Sequence, residues 1–98
     1  MYDVQFTRRA QKEAAKAGRA GLKPKVSEII GVVCENPFED SQEFEKLKGQ
    51  LKGMYSRRIN KQHRFVYEVL PNTGNLTDAN GEPYEGIVKV ISMWTHYE

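Results

Sequence analysis

Seven lysines and arginines, Lys46, Lys48, Lys52, Arg57, Arg58, Lys61 and Arg64, lie between Glu45 and Glu68 with no acidic residue among them. They are interleaved with Tyr55, Phe65, Tyr67 and the imidazole of His63. Positive charge mixed with flat rings suits a polyanion that carries stackable bases, which points to nucleic acid. The competing reading is a solvated basic face with no partner. Eight basic residues remain elsewhere against thirteen acidic ones, so the net charge of +2 conceals a +7 block on a −5 remainder.

Other chemistries find few residues to work with. Cys34 is the sole cysteine, so an intramolecular disulfide is excluded, and with only His63 and His96 beside it there is no zinc-ligand spacing. Cys34 reads as a buried apolar filler on a helix. No apolar run approaches the roughly 20 residues of a membrane helix, and the first residues lack a hydrophobic signal core. A cytoplasmic protein without membrane contact is expected. Ninety-eight residues, 39% hydrophobic and 29% charged, suit one globular domain spanning 1–98 with a single core.

The elements that must position the basic block follow from periodicity. Tyr2, Val4 and Phe6 alternate with Asp3 and Gln5, which predicts a short strand. Thr7 offers an N-cap oxygen to a helix whose thin apolar stripe is Ala10, Ala14 and Ala17, ended by Gly18 and Gly21. Leu22, Val26, Ile29, Ile30 and Val33 mark one buried face of a second helix, with Pro24 tolerable in its first turn. Asn36-Pro37 stops that helix, and an acidic connector leads into the basic block. Met54 to Ile59 and His63 to Leu70 read as strands joined by a polar turn, and a last strand runs from Ile87 to about Tyr97. Residues 71–86, with two prolines, three glycines and an Asn-Gly pair, form a loop or hairpin excursion. The order β-α-α-β-β-β predicts an α+β domain: a twisted, mainly antiparallel sheet with a helix hairpin on one face and the other face open to a strand of RNA.

At residues 36–67 the chain becomes specific enough to resemble a family. Asn36-Pro37-Phe38-Glu39, Glu45-x-Leu47-Lys48-x-x-Leu51-x-Gly53, Ser56-Arg57-Arg58-Ile59, His63-Arg64-Phe65-Val66-Tyr67 and the terminal His96-Tyr97 together resemble the YoeB/Txe branch of the RelE toxin superfamily. The resemblance implies a RelE-like fold and the toxin of a type II toxin–antitoxin pair: a ribosome-dependent mRNA endonuclease cutting codons in the A site. It implies a reaction needing no metal or other cofactor, in which the ribose 2′-OH attacks the adjacent phosphate to leave a 2′,3′-cyclic phosphate and a 5′-OH. Carried over by position, Glu45 is the general base, Arg64 the phosphate-stabilising arginine and His96 the general acid. Lys48 and Arg58 are assisting basic residues, and Tyr97 shapes the site. The partners implied are a cognate antitoxin of the YefM/Axe kind, the ribosome with its mRNA, and a second copy in a homodimer.

Those residue types suit the chemistry. Cleavage needs a proton taken from the 2′-OH, charge held on the phosphorane and a proton given to the leaving 5′-oxygen. Burial would raise the pKa of Glu45 and nearby cations would lower it, and its other role is a loop carboxylate paired with Lys46 or Lys48. Arg64 can clamp a phosphate with its planar fork, or pair at the surface with Glu68. His96, with an ordinary pKa near 6.5, suits a proton donor. Strand alternation sends Arg57 and Arg58 to opposite faces, and the resemblance favours Arg58 at the substrate. His63 reads as structural, and Tyr55 and Tyr67 as core-edge residues or stacking platforms.

Two features depart from the pattern. Trp94 stands two positions before the terminal His, where related toxins often carry a basic residue, and 71–86 is longer than the usual turn. A non-catalytic RNA- or ribosome-binding module is the main alternative class. An interaction protein whose charge has no nucleic-acid role is the other.

Overall fold

The computed structural model describes residues 1–94. The chain runs through β1 (Asp3–Phe6), α1 (Arg8–Arg19), α2 (Lys23–Glu35), β2 (Glu45–Lys46), a 3₁₀ turn at Gly49–Leu51, β3 (Met54–Arg58), β4 (Arg64–Pro71) and β5 (Gly86–Ser92). The five strands form one sheet in the order β1-β5-β4-β3-β2, with β1 parallel to β5 and the other pairs antiparallel. The expected α+β architecture, mainly antiparallel with a helix pair against the sheet, is the one observed.

The helices form for the reasons their sequence gives. Thr7 accepts a hydrogen bond from the Ala10 amide at 3.1 Å, capping α1. Ala10 and Ala17 are fully buried, and their small side chains let α1 approach β5 closely. The helix runs through Gly18, expected as a stop, and ends at Arg19; Gly21, at φ +77°, makes the left-handed turn into α2. On α2, Val26, Ile29 and Val33 pack into a core with Phe65, Tyr67, Val88, Val90 and Met93. Cys34 lies on α2 as expected but is only half-buried, its Sγ reaching the Tyr2 carbonyl at 3.5 Å.

Two expectations are corrected, and of the loop or hairpin expected at 71–86 it is the hairpin that is observed. A strand, β2, spans the junction of the acidic connector and the basic block, its two residues too few to show any periodicity. The last strand, expected to run to about Tyr97, ends at Ser92 with Met93 and Trp94 outside it, and residues 95–97 lie outside the described residues. Its next amide, on Met93, donates at 2.9 Å to Oε1 of the buried Glu13 on α1, so the donor goes to a helix side chain. Residues 71–86 are an ordered hairpin excursion: Asn72 donates to the carbonyls of Leu76 and Tyr84 and accepts from the Leu76 amide, while Asp78 Oδ1 accepts from the amides of Asn80 and Glu82. Gly86 closes that excursion where a Cβ would stand 2.7 Å from the Leu70 carbonyl oxygen, closer than real Cβ atoms come.

Candidate functional site

Residues that pair across a ladder share a face of the sheet, so the register sorts the basic block. Tyr55 lies opposite Tyr67, and Arg57 opposite Phe65, among the residues facing the helices and the core. Glu45 lies opposite Ser56, Ser56 opposite Val66, and Arg58 opposite Arg64, on the other face. Arg58 and Arg64 are therefore direct cross-strand neighbours, with Cβ atoms roughly 5 Å apart, and Glu45 sits one row away on the adjoining strand.

Two cations directly opposite each other repel, and an acidic residue offsets this. Arg58 Nη1 donates to both carboxylate oxygens of Glu43 at 2.9 Å, and its Nε donates to the Asn60 carbonyl at 3.2 Å. Arg64 Nη1 stands 3.7 Å from the same carboxylate, within ion-pair range. Arg64 thus turns toward Glu43, whereas Glu68, its anticipated partner, lies 3.8 Å from Lys89. Glu45 is exposed at the sheet's edge strand.

Lys48 falls elsewhere. It lines a groove of about 400 Å³ with Lys46, Leu47, Gly49, Lys52, Gly53, Met54 and Tyr55, a lining that includes neither Arg58 nor Arg64. His96 and Tyr97 lie outside the described residues. Of the six residues singled out from sequence, the structure gathers Glu45, Arg58 and Arg64 on one face.

The neighbouring arginine has a different environment. Arg57 is fully buried, and its guanidinium is saturated by oxygens of the connector and of Tyr67 on β4. Nη1 donates to the Ser41 carbonyl at 2.8 Å and Oγ at 3.3 Å, Nη2 to the carbonyls of Glu39 at 2.7 Å and Pro37 at 3.2 Å, and Nε to the Tyr67 hydroxyl at 3.1 Å. The Tyr67 hydroxyl in turn donates to the Pro37 carbonyl, and the guanidinium lies 4.8 Å from the Phe44 ring centre. Burial pushes the Tyr67 pKa up, with Arg57 partly opposing, so the phenol stays a donor. Arg57 staples the connector that carries Glu43 and leads into Glu45. Strand alternation separates it from Arg58 without saying which of the two faces inward; the carbonyl cage around it left no pattern to read.

His63 is buried, and its ring stacks on Trp94 with centres 4.2 Å apart and planes 18° from parallel. Trp94 thus spends one ring face on packing, and His63 has the structural setting expected of it. Tyr55 and Tyr67 join a cluster with Phe38, Phe44 and Phe65, which makes them packing residues.

Residues 12–97 match the family model described as the YoeB-like toxin of bacterial type II toxin–antitoxin systems. The chain belongs to this family. Toxin YoeB of Escherichia coli O6:H1 is 47% identical over 45 residues, which are 46% of this chain and 54% of that protein. Toxin RelK of Mycobacterium tuberculosis is 40% identical over 43 residues, 44% of this chain and 51% of that one. The chain spans about half the length of the curated relatives it matches. Solved structures extend the likeness: a YoeB/ParE toxin from Agrobacterium tumefaciens superposes with a TM-score of 0.75 at 27% identity, covering 97% of this chain and 99% of that one. A YoeB dimer from Staphylococcus aureus superposes at 0.72 with 27% identity, covering 98% of each. In this YoeB-family chain, the matched model takes in the sheet face that carries Glu45, Arg58 and Arg64. Among the described residues, no helix is long and apolar enough to cross a membrane.

Proposed function

We propose that this chain is a ribosome-dependent mRNA endonuclease, the toxin partner of a type II toxin–antitoxin pair. The observation that carries the reading is the pairing of Arg58 with Arg64 across β3 and β4, in a YoeB-family chain, one row from the carboxylate of Glu45. In this reaction Glu45 takes the 2′-OH proton, and the 2′-oxygen forms a bond to the adjacent phosphorus. Arg64, with Arg58, holds the charge that builds on the phosphorane oxygens. The P–O5′ bond breaks as His96 delivers a proton to the leaving oxygen, giving a 2′,3′-cyclic phosphate and a 5′-OH. Lys48 lends positive charge from the adjoining groove, and Tyr97 shapes the acid end of the site.

The partners follow from the same face. An antitoxin with an acidic segment complements the basic block, and solved complexes of YoeB with YefM from Staphylococcus aureus support that pairing. The Staphylococcus aureus YoeB dimer supports self-association as well. A cytoplasmic site of action follows from a ribosomal substrate.

The test is cleavage of mRNA programmed into ribosomes, with product ends analysed and chelator present. Cuts at A-site codons bearing 2′,3′-cyclic phosphate and 5′-OH ends are expected, with ribosome binding that weakens steeply as salt rises. Ribosome binding without cutting would instead favour a non-catalytic module.

A further inference from the structure

The carboxylate of Glu43 occupies the position between the two arginines. It accepts from Arg58 Nη1 through both oxygens at 2.9 Å and lies 3.7 Å from Arg64 Nη1, an atom with no hydrogen-bond partner among the described residues. A phosphodiester carries the same single negative charge and offers paired oxygens of the same kind to a guanidinium fork. Whatever phosphate these two arginines are to hold meets a carboxylate already there.

The backbone presents that carboxylate at some energetic expense. Gln42 and Glu43 are consecutive non-glycine residues in the left-handed region, at φ 55° and 52°, a conformation that costs about 1 kcal/mol or more per residue. The turn is held from several sides. The Arg58 amide donates to the Gln42 carbonyl at 2.8 Å, Gln42 Nε2 donates to Glu28 at 3.0 Å, and the preceding residues are clasped by Arg57. Glu43 itself is 53% exposed, so its side chain can swing into water without opening the core.

We propose that Glu43 is an internal competitor for the phosphate site, a carboxylate that neutralises the arginine pair in the free protein and must be displaced by the substrate phosphodiester. It lowers the affinity of the free chain for loose RNA while leaving the site accessible to a phosphate held in place by other contacts. This inference rests on the endonuclease reading above for the identity of the phosphodiester.

The test substitutes Glu43→Gln, which keeps the shape and removes the charge, and uses two probes. One is a 2′-O-methyl oligoribonucleotide, which cannot be cut; the other is inorganic phosphate, followed through the Arg58 and Arg64 side-chain Nε–H resonances. E43Q is expected to bind both roughly 5- to 30-fold more tightly than the unsubstituted chain, the scale of losing one charge-assisted competitor. The gain is expected to vanish when Arg58→Ala is added. Equal or weaker binding of both probes by a folded E43Q overturns the proposal, even if the unsubstituted chain cuts ribosome-bound mRNA. A gain for inorganic phosphate in a chain that neither binds nor cuts RNA upholds the competitor role of Glu43 and refutes the endonuclease reading. Should E43Q fail to fold, E43D supplies the same comparison: its shorter reach is expected to weaken the competition and raise affinity for both probes, and unchanged affinity overturns the proposal.

Discussion

Arg57 and Arg58 are consecutive, chemically identical and opposite in fate. On the inner face of β3, Arg57 is buried and its donors are consumed by the carbonyls of Pro37, Glu39 and Ser41, a Ser41 hydroxyl and the Tyr67 phenol. On the other face, Arg58 is partly exposed and shares one carboxylate with Arg64. A guanidinium caged by fixed backbone oxygens is structural, because nothing can displace its partners without unfolding the connector. A guanidinium held by an exposed carboxylate can exchange that partner for a phosphate. One strand thus divides its two arginines between holding the chain and standing partly exposed beside a single carboxylate, and the alternation of strand side chains is what separates them.

The largest loss of stability is expected at Arg57. Replacing it with Ala leaves several buried acceptors unpaired and should cost about 3–5 kcal/mol, the scale of breaking a buried charged network. For a domain of this size that lowers the melting temperature by more than about 12 °C, measurable by circular dichroism. A shift of only a few degrees would mean that the cage is not what holds the connector.

A smaller effect is expected where Glu28 of α2 accepts from Gln42 of the connector. Glu28 has its pKa held below the ordinary 4.5, first by its hydrogen bond from Lys25 and then by that from Gln42. A depressed carboxyl pKa contributes stability that is present above the unfolded-state value and lost as pH falls through the folded-state value. Wild type should therefore exceed E28Q in stability at neutral pH by the modest margin of a surface ion pair, and the margin should shrink below about pH 4.5. Melting curves of both proteins from neutral pH to below 4 follow it; a margin that grows on acidification would contradict the stabilising role of the Lys25 and Gln42 hydrogen bonds to Glu28.

Much of this division could be read in the chain before its fold was seen. Alternation within Met54–Arg58 was enough to send the two arginines to opposite faces, and the Thr7 cap and the α2 face formed by Val26, Ile29 and Val33 followed their periodicity. What escaped depends on contacts between distant segments. Nothing local marks Glu43, 15 residues from Arg58, as its partner. Glu13 lies three residues from Ala10, inside the small-residue stripe of α1; that placement was the one available hint that its carboxylate turns inward to Met93, 80 residues away. The two-residue β2 has too little length for a period, and it is the ladder with β3, not any preference of Glu45 and Lys46, that makes it a strand.

The most direct test of the division is the single-turnover rate at which Arg64→Ala cuts ribosome-bound mRNA, measured beside its melting temperature. The expected result is a loss of about 10²- to 10³-fold in cutting, the usual loss on removing one charge-stabilising group. Its stability should stay within about 1 kcal/mol of the unsubstituted chain, since the ion pair to Glu43 is long and partly exposed. Undiminished cutting by a folded R64A would contradict the assignment of this face to the phosphate.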